Sequence, residues 1–312
     1  MLSPFTQFWP GVLGWVALIG LMAGLASTFA MRLRYSLWRK LHVTLGIGVL
    51  IGIAHLLAVS GLSVGAWLVI IPAMFALGWR VLRADLGSGA RPYEVSAVAN
   101  LSGRITEATL KSLAAPITVM PGQFVMAAFF EGPNYRGCGE YHPYTVSGMA
   151  PDGALTLSIK ALGDCTRNIQ SLEPGVAVRV HGPYGTFLVN RIEAPELWVA
   201  GGIGITPFLA LLRAGPVTRP TELIYVYRET ADAPHLAELA GHSASQALLR
   251  FHPLALQENL TPLFELLETL PDLAARHVYL CGPPPLVDAI TRKLGLQGVS
   301  QRQIHFENFD FR

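Results

Sequence analysis

The apolar excess of this 312-residue chain sits almost wholly before residue 84, and that partition constrains the fold more than any other feature. Gly11 to Met31, Leu41 to Ser60 and Ser63 to Leu77 are almost free of charge. The first two are long enough to cross a hydrocarbon core of about 30 Å as helices, and the third reaches that length when Gly78 to Leu82 extend it. Three transmembrane spans are therefore expected, at 11–31, 41–60 and 63–82, making 1–84 a helical membrane segment. Arg32, Arg34, Arg39 and Lys40 lie between the first two spans, Arg80, Arg83 and Arg91 follow the third, and Ser60 to Gly65 carries no charge. That asymmetry predicts a multi-pass protein of the cell (inner) membrane with its amino terminus outside and its soluble part in the cytoplasm. A cleaved signal peptide would start with positive charge, and Met1 to Pro10 has no lysine or arginine. Trp9, Trp15, Trp38 and Trp79 fall near the expected span ends, where indole rings prefer the interface.

The net charge of +2 and the lack of a dense basic stripe exclude nucleic acid as a partner. Three cysteines, Cys138, Cys165 and Cys281, are too few for a disulfide framework or a four-thiolate iron–sulfur cluster.

After the linker Ala84 to Pro92, short alternating runs such as Tyr93 to Ala99, Gln123 to Phe130, Leu155 to Lys160 and Val176 to His181 are separated by Gly, Pro and Asp. This predicts a small antiparallel β-barrel over 85–192. From about Ala194 the pattern becomes strand, glycine-rich turn, helix, with Leu197 to Ala200, Ile224 to Tyr227 and His277 to Leu280 as buried strands. A doubly wound α/β domain is expected over 193–312.

Five short segments carry chemistry. In His142-Pro143-Tyr144-Thr145-Val146-Ser147 an aromatic face suits stacking on isoalloxazine, a hydroxyl suits its ring nitrogens, and a basic residue suits a pyrophosphate. Ser158 to Thr166 then places Lys160, a glycine turn at Gly163 and a helix start where backbone N–H groups hold phosphate, and Gly182-Pro183-Tyr184-Gly185 closes the barrel. Gly201 to Pro207 follows a strand and opens a helix, as a dinucleotide turn must, although Pro207 stands at the third glycine position. Cys281-Gly282-Pro283-Pro284 ends another strand, which puts a thiol near the nicotinamide edge of such a sheet or leaves it a buried, inert side chain.

His42 and His55 lie within the second span, separated by about 20 Å of rise and about 140° of rotation on a straight helix. The rise suits two stacked sites; the angle does not give one shared face. Each has a plain alternative, an interfacial imidazole beside Lys40 for His42 and a hydrogen bond to a neighbouring helix for His55. With a flavin and nucleotide module downstream, axial ligation of b-type haem iron is the expectation. Four imidazoles are needed for two bis-histidine haems, so the missing pair is expected from a homodimer partner, a second membrane subunit, or a segment this chain has lost.

Taken together, HPYTVSG, IKALGDCT, GPYG, GGIGITP and CGPP in this order resemble the ferric reductase and NADPH oxidase superfamily, whose cytoplasmic part is a ferredoxin-reductase-like flavoprotein. The resemblance implies that Tyr144 stacks on FAD, that Thr145 sits near its N5, and that His142, Lys160, Gly163 and Thr166 surround its phosphates or ribityl chain. Pro143, Ser147, Ile159 and Gly182 complete the implied flavin set. Gly202, Gly204, Thr206, Pro207, Cys281, Gly282 and Pro283 would line the nicotinamide nucleotide. Arg228 matches a position that meets a 2′-phosphate and Glu229 suits a ribose 2′-hydroxyl, so NADPH and NADH both stay open. Glu307 and Phe309 match a carboxyl-terminal element in which an aromatic ring shields the flavin. Thr145, Cys281 and Phe309 are the candidates for the reaction itself. Members of that superfamily carry six core helices, so this chain looks like the last three plus a complete reductase.

The function implied is an NAD(P)H-dependent oxidoreductase that sends electrons through FAD and membrane haem to an acceptor such as ferric iron or dioxygen. The alternatives are a membrane-anchored electron-transfer subunit serving a separate redox protein, and a cofactor-poor membrane scaffold.

Overall fold

The computed structural model describes residues 4–29, 35–80, 89–257 and 259–308. It divides into two compact units, one built from the residues up to Ser88 and the other from Gly89 to Phe311.

The first unit holds three helices, α1 (Pro4–Phe29), α2 (Tyr35–Ser60) and α3 (Val64–Arg80). Small residues let α1 and α2 approach closely: a Cβ at Gly14 would lie 2.8 Å from Cε1 of His55, and one at Gly48 would lie 3.1 Å from Leu21. Much of the remaining apolar surface is uncovered, with Trp15, Ile19 and Met22 on α1, Leu50 and Val59 on α2, and Leu68, Ile71 and Phe75 on α3 all exposed.

Of the three expected spans, one meets the length and apolarity needed to cross a membrane among the described residues: Phe8–Ala26, 19 residues, of which 11% are buried. The apolar stretches of α2 and α3, Leu45–Ser60 and Val64–Gly78, are shorter. The bend after Ser60 starts α3 at Val64, one residue later than the expected third span.

The second unit begins with six strands, β1 (Arg91–Ser102), β2 (Ile105–Ser112), β3 (Phe124–Phe129), β4 (His142–Met149), β5 (Leu155–Lys160) and β6 (Ala177–Tyr184). They close a barrel in the order β1-β2-β5-β4-β3-β6, all pairs antiparallel. Inward positions alternate, as in Tyr93 and Val95, Ala108 and Leu110, and Val125 and Ala127, and they fill one apolar cluster. A short helix, α4 (Asp164–Asn168), follows β5.

The chain then builds a parallel sheet from β7 (Glu196–Gly201), β8 (Thr221–Tyr227), β9 (Leu249–Ala255), β10 (His277–Gly282) and β11 (Ile304–Asn308), in the order β11-β10-β7-β8-β9. The crossovers carry α5 (Thr206–Ala214), α6 (Leu236–Ser245), α7 (Thr261–Thr269) and α8 (Pro284–Leu296). Every residue of β7 is buried, as expected of a central strand covered on both faces, and two apolar clusters form the two layers. Glu196 is fully buried at the start of β7, where Arg191, Arg219 and the Trp198 indole N–H, at 2.8–3.0 Å, satisfy its charge.

Strand order reverses between β7 and β10. The fold therefore opens its crevice beyond the carboxyl ends of these two strands, at Gly201 and Gly282.

Candidate functional site

At that reversal the backbones of the two strands nearly touch. A Cβ on Gly282 would lie 3.1 Å from the Gly201 backbone, and one on Gly204 would collide with the Cys281 carbonyl, so only glycine permits the turn to fold back over β10. Gly202 takes a left-handed conformation, φ +54°, and faces open space. Thr206 donates its hydroxyl to the Ile203 carbonyl at 3.1 Å, while buried Pro207 fixes the first turn of α5. Pro283 leads into α8. The glycine turn, Cys281 and the start of α8 thus line one edge of the crevice.

Cys281 is buried, and burial, with the Glu307 charge adding to it, drives its thiol well above the ordinary range. It stays a neutral SH group at physiological pH.

The facing edge comes from the barrel. Strand periodicity sends successive side chains of β4 to opposite faces. Tyr144 turns into the barrel, edge-on to Phe129 at 6.0 Å and to His142 at 6.4 Å. Thr145 turns the other way, buried, and its hydroxyl has no hydrogen-bond partner. Across the ladder Thr145 pairs with Phe124, and a Cβ on neighbouring Gly185 would lie 3.2 Å from Phe124 and 3.4 Å from Oε1 of Glu307. Glu307 in turn pairs in register with Cys281. Thr145, Glu307 and Cys281 are thereby gathered where the barrel meets the carboxyl edge of the sheet.

Oε2 of Glu307 is also buried without a partner, and burial raises its acid from 4.5 to about 7. Folding therefore takes up a proton between those values. The stability this group supports is full below pH 4.5 and is lost as pH rises through about 7. Glu307→Gln is expected to stabilise the flavin-free chain by about 2 kcal/mol near pH 8 and to leave it unchanged near pH 4, as read by denaturant unfolding. Equal effects at the two pH values would remove this burial from the account.

Buried polar atoms left unpaired are costly, and three of them here, on His142 (Nε2), Thr145 and Glu307, belong to residues the sequence points to. A ring system with polar edges, such as a flavin, fits that donor and acceptor set.

Other expected residues are held by the protein itself. Ile159 lies in the barrel core. The Ser147 hydroxyl bonds to Ser158 and to the Thr156 carbonyl, and Lys160 pairs with Asp232 at 2.8 Å. Thr166 accepts from the N–H groups of Leu162 and Gly163, both at 2.9 Å, which fixes the turn at α4. Gly182, φ +146°, begins the closing turn whose Tyr184 stacks on His181. Pro143 is half-buried beside Tyr144 in β4. Arg228 and Glu229 are exposed just past β8, and Arg104 reaches Glu229 at 3.8 Å and Asp232 at 3.7 Å. Phe309 and the side chain of His42 lie outside the described residues.

His55 sits over Gly14 with Nδ1 2.6 Å from the Pro10 carbonyl, and the Cβ position of Gly14 is 3.0 Å from its Nε2. The ring is packed against α1, the alternative in which His55 bonds to a neighbouring helix.

The sequence reading missed a polar cluster joining barrel and sheet domain. Arg213 on α5 bonds to Glu107 at 3.0 Å and Glu238 at 2.6 Å, and the Ser147 carbonyl accepts from it at 3.3 Å. Ser158 donates to Glu107 at 2.9 Å, and His235 lies 3.3 Å from both Ser158 and Glu238. Burial alone would raise the Glu238 acid, but His235 and Arg213 outweigh it and hold the group at about 2. A second missed feature places Cys138 and Cys165 beside His142. Burial pushes Cys138 up, yet His142 and Cys165 bring it below the ordinary thiol range, while burial and Cys138 push Cys165 up to about 12.

No protein-family model matches the chain. It is 28% identical over 211 residues to the ferredoxin–NAD(P)(+) reductase component of naphthalene 1,2-dioxygenase/salicylate 5-hydroxylase systems from Ralstonia sp, covering 63% of this chain and 62% of that protein. It is 26% identical over 230 residues to the toluate 1,2-dioxygenase electron transfer component of Pseudomonas putida, covering 69% and 66%. The chain therefore spans just under two thirds of the length of these relatives. Among solved structures, the ferredoxin reductase in carbazole 1,9a-dioxygenase aligns with a TM-score of 0.59 and 26% identity, covering 70% of this chain and 69% of that one. Phthalate dioxygenase reductase aligns with a TM-score of 0.58 and 22% identity, covering 70% and 68%. The barrel and parallel sheet have the architecture of ferredoxin-reductase-type FAD and NAD(P) domains.

Proposed function

We propose that this chain is a membrane-anchored, NAD(P)H-dependent flavoprotein reductase that holds FAD and delivers electrons to a separate redox protein. The observation that carries the reading is the convergence of Thr145, Glu307 and Cys281 at the strand-order reversal of a ferredoxin-reductase fold, with two of their buried polar atoms unpaired. When bound, FAD would accept two electrons together from a nicotinamide and release them singly.

The chain's own residues bind, orient and exclude water. The Thr145 hydroxyl offers a fixed, dry hydrogen bond to a ring edge, and Tyr144 stiffens the wall behind it. Glu307 can hold a proton near neutrality, and Cys281 adds no charge where a nicotinamide would lie. His142 and the Gly163–Thr166 turn are the groups for the flavin phosphates. The open backbone at Gly202 and the start of α5 suit the dinucleotide.

The relatives named as reductase or electron transfer components of oxygenase systems support transfer to a partner protein over direct reduction of ferric iron or dioxygen. His55, with its ring against α1, supports packing over haem ligation. The exposed apolar faces of α1, α2 and α3 support seating in a bilayer with α1 as the spanning helix, and the basic residues that follow α1 in the sequence support a flavin module on the cytoplasmic side. A reduced one-electron acceptor protein, such as a [2Fe–2S] ferredoxin, is expected when NADPH is added to the FAD-loaded chain. NADPH oxidation that reduces only dissolved oxygen would contradict the partner reading.

Arg104 lies 3.8 Å from Glu229, which supports Arg228 as the cation for a 2′-phosphate. Arg228→Ala is expected to weaken NADPH use by about 1.5 kcal/mol, roughly tenfold, and to spare NADH. Equal losses for both nucleotides would return the selection to Glu229.

A further inference from the structure

A turn of the barrel reaches the far end of the nucleotide crevice. β1 and β2 are joined by the tight turn Gly103-Arg104, and the Arg104 side chain approaches the loop that follows β8. Ser102 fixes that turn, its hydroxyl accepting from the backbone N–H groups of Arg104 and Ile105, both at 3.2 Å, and the Arg104 carbonyl accepts from the Ala161 N–H at 2.8 Å. The backbone of Arg104 is therefore held while 55% of its side chain is exposed.

Its guanidinium lies 3.8 Å from Glu229 and 3.7 Å from Asp232, beyond hydrogen-bond reach of either. Asp232 is already met by another cation, since this buried carboxylate has Lys160 at 2.8 Å. Glu229 is 60% exposed, and an exposed ion pair at that distance contributes little. Arg104 is thus a donor fork on a fixed backbone whose two carboxylate neighbours hold it loosely. In a doubly wound dinucleotide fold a carboxylate past the second strand takes the ribose 2′-hydroxyl, whereas an arginine there takes a 2′-phosphate. Arg228 and Glu229 stand at that place, both exposed. Glu229 alone would repel a 2′-phosphate, so a phosphate can settle there only with cations that outweigh it. Arg104 is the neighbouring cation from the barrel side, and its planar fork matches a phosphate with two parallel hydrogen bonds.

We propose that Arg104 is a second specificity determinant for NADPH, a guanidinium carried by the barrel that leaves Glu229 and binds the 2′-phosphate together with Arg228. The assignment rests on the dinucleotide reading of the glycine turn. It makes the adenosine end of NADPH, and not of NADH, a bridge between barrel and sheet domain.

The test uses the full chain in detergent, loaded with FAD, and two probes without a nicotinamide: adenosine 2′,5′-bisphosphate and adenosine 5′-monophosphate, which lacks the 2′-phosphate. By calorimetry Arg104→Ala is expected to weaken the bisphosphate about tenfold and to leave the monophosphate unchanged. The same loss should persist when Arg104→Ala is made on top of Glu229→Gln, because a direct contact does not depend on that carboxylate. In the unaltered chain the bisphosphate, but not the monophosphate, should slow modification of Arg104 by phenylglyoxal, a readout that requires no variant to fold. Unchanged bisphosphate affinity in Arg104→Ala, equal losses for both probes, or a loss that vanishes beside Glu229→Gln would overturn the assignment, the last by reducing Arg104 to a screen for Glu229. Bleaching of the flavin is recorded on the same sample. Any of those three results with NADPH bleaching intact removes Arg104 alone, whereas an unaltered chain that binds neither probe and is bleached by neither nucleotide overturns the nucleotide reading and this assignment with it.

Discussion

Thr145→Val combined with His142→Leu is expected to lower FAD retention by two to three orders of magnitude while leaving the chain folded. Thr145 and His142 each carry a buried polar atom that no protein group satisfies. A neutral hydrogen bond to a flavin ring edge contributes about 1 kcal/mol and a charge-assisted bond to a phosphate about 1.5–3 kcal/mol, which together set that range. Valine keeps the shape of threonine and removes a hydroxyl that is unpaired in the flavin-free chain. The same substitution should therefore stabilise the apo chain, by about 1 kcal/mol, as it empties the flavin site. Loss of cofactor with a gain in apo stability separates a binding role from a packing role. Tyr144 is the poorer probe, because alanine there opens a cavity in the barrel core and costs about 3–5 kcal/mol for reasons unrelated to flavin. Unchanged flavin stoichiometry in the double variant would remove both residues from the site.

The second large effect is expected at Arg213. Its guanidinium bridges Glu107 of the barrel and Glu238 of the sheet domain, with 23% of the side chain exposed. Arg213→Ala strands two carboxylates in a partly dry interface and should cost about 3 kcal/mol, the lower end of the range for a broken buried pair because water reaches part of it. The pH profile gives the diagnostic. Glu238 is held at about 2 against an ordinary 4.5, so its contribution is present above pH 4.5 and lost as pH falls through about 2. That acid-dependent loss should shrink in Arg213→Ala. Unfolding curves that lose stability equally at every pH would point to simple packing instead.

Barrel and sheet were legible because their signals are local. Alternation in Tyr93 to Ala99 reports one buried face, and the all-apolar run Leu197 to Ala200 followed by glycines reports a covered strand ending at a turn. Period two also puts Tyr144 and Thr145 on opposite faces of β4, and which of the two faces is the barrel interior depends on closure by β3 and β5. The Arg213 cluster was invisible for the opposite reason. Glu107 is 106 residues away from its partner and Ser158 is 77 from His235, with no motif at either end. Cys165 was readable as part of a phosphate turn, but its approach to Cys138 depends on where a loop without secondary structure crosses the barrel flank. For the helices, charge-free length located α1, α2 and α3, and among the described residues one stretch, Phe8–Ala26, is long and apolar enough to cross a membrane.

The central claim is that this chain holds FAD, takes electrons from NAD(P)H and passes them on without haem of its own. An anaerobic visible spectrum of the purified full chain, recorded before and after NADPH, tests it most directly. The account predicts flavin bands near one FAD per chain that bleach on adding NADPH, with no haem bands at any stage. A chain that carries no flavin when FAD is supplied, or flavin that NADPH and NADH both fail to bleach, would contradict it. So would stoichiometric low-spin haem reduced through the flavin, which would return His42 and His55 to the electron path.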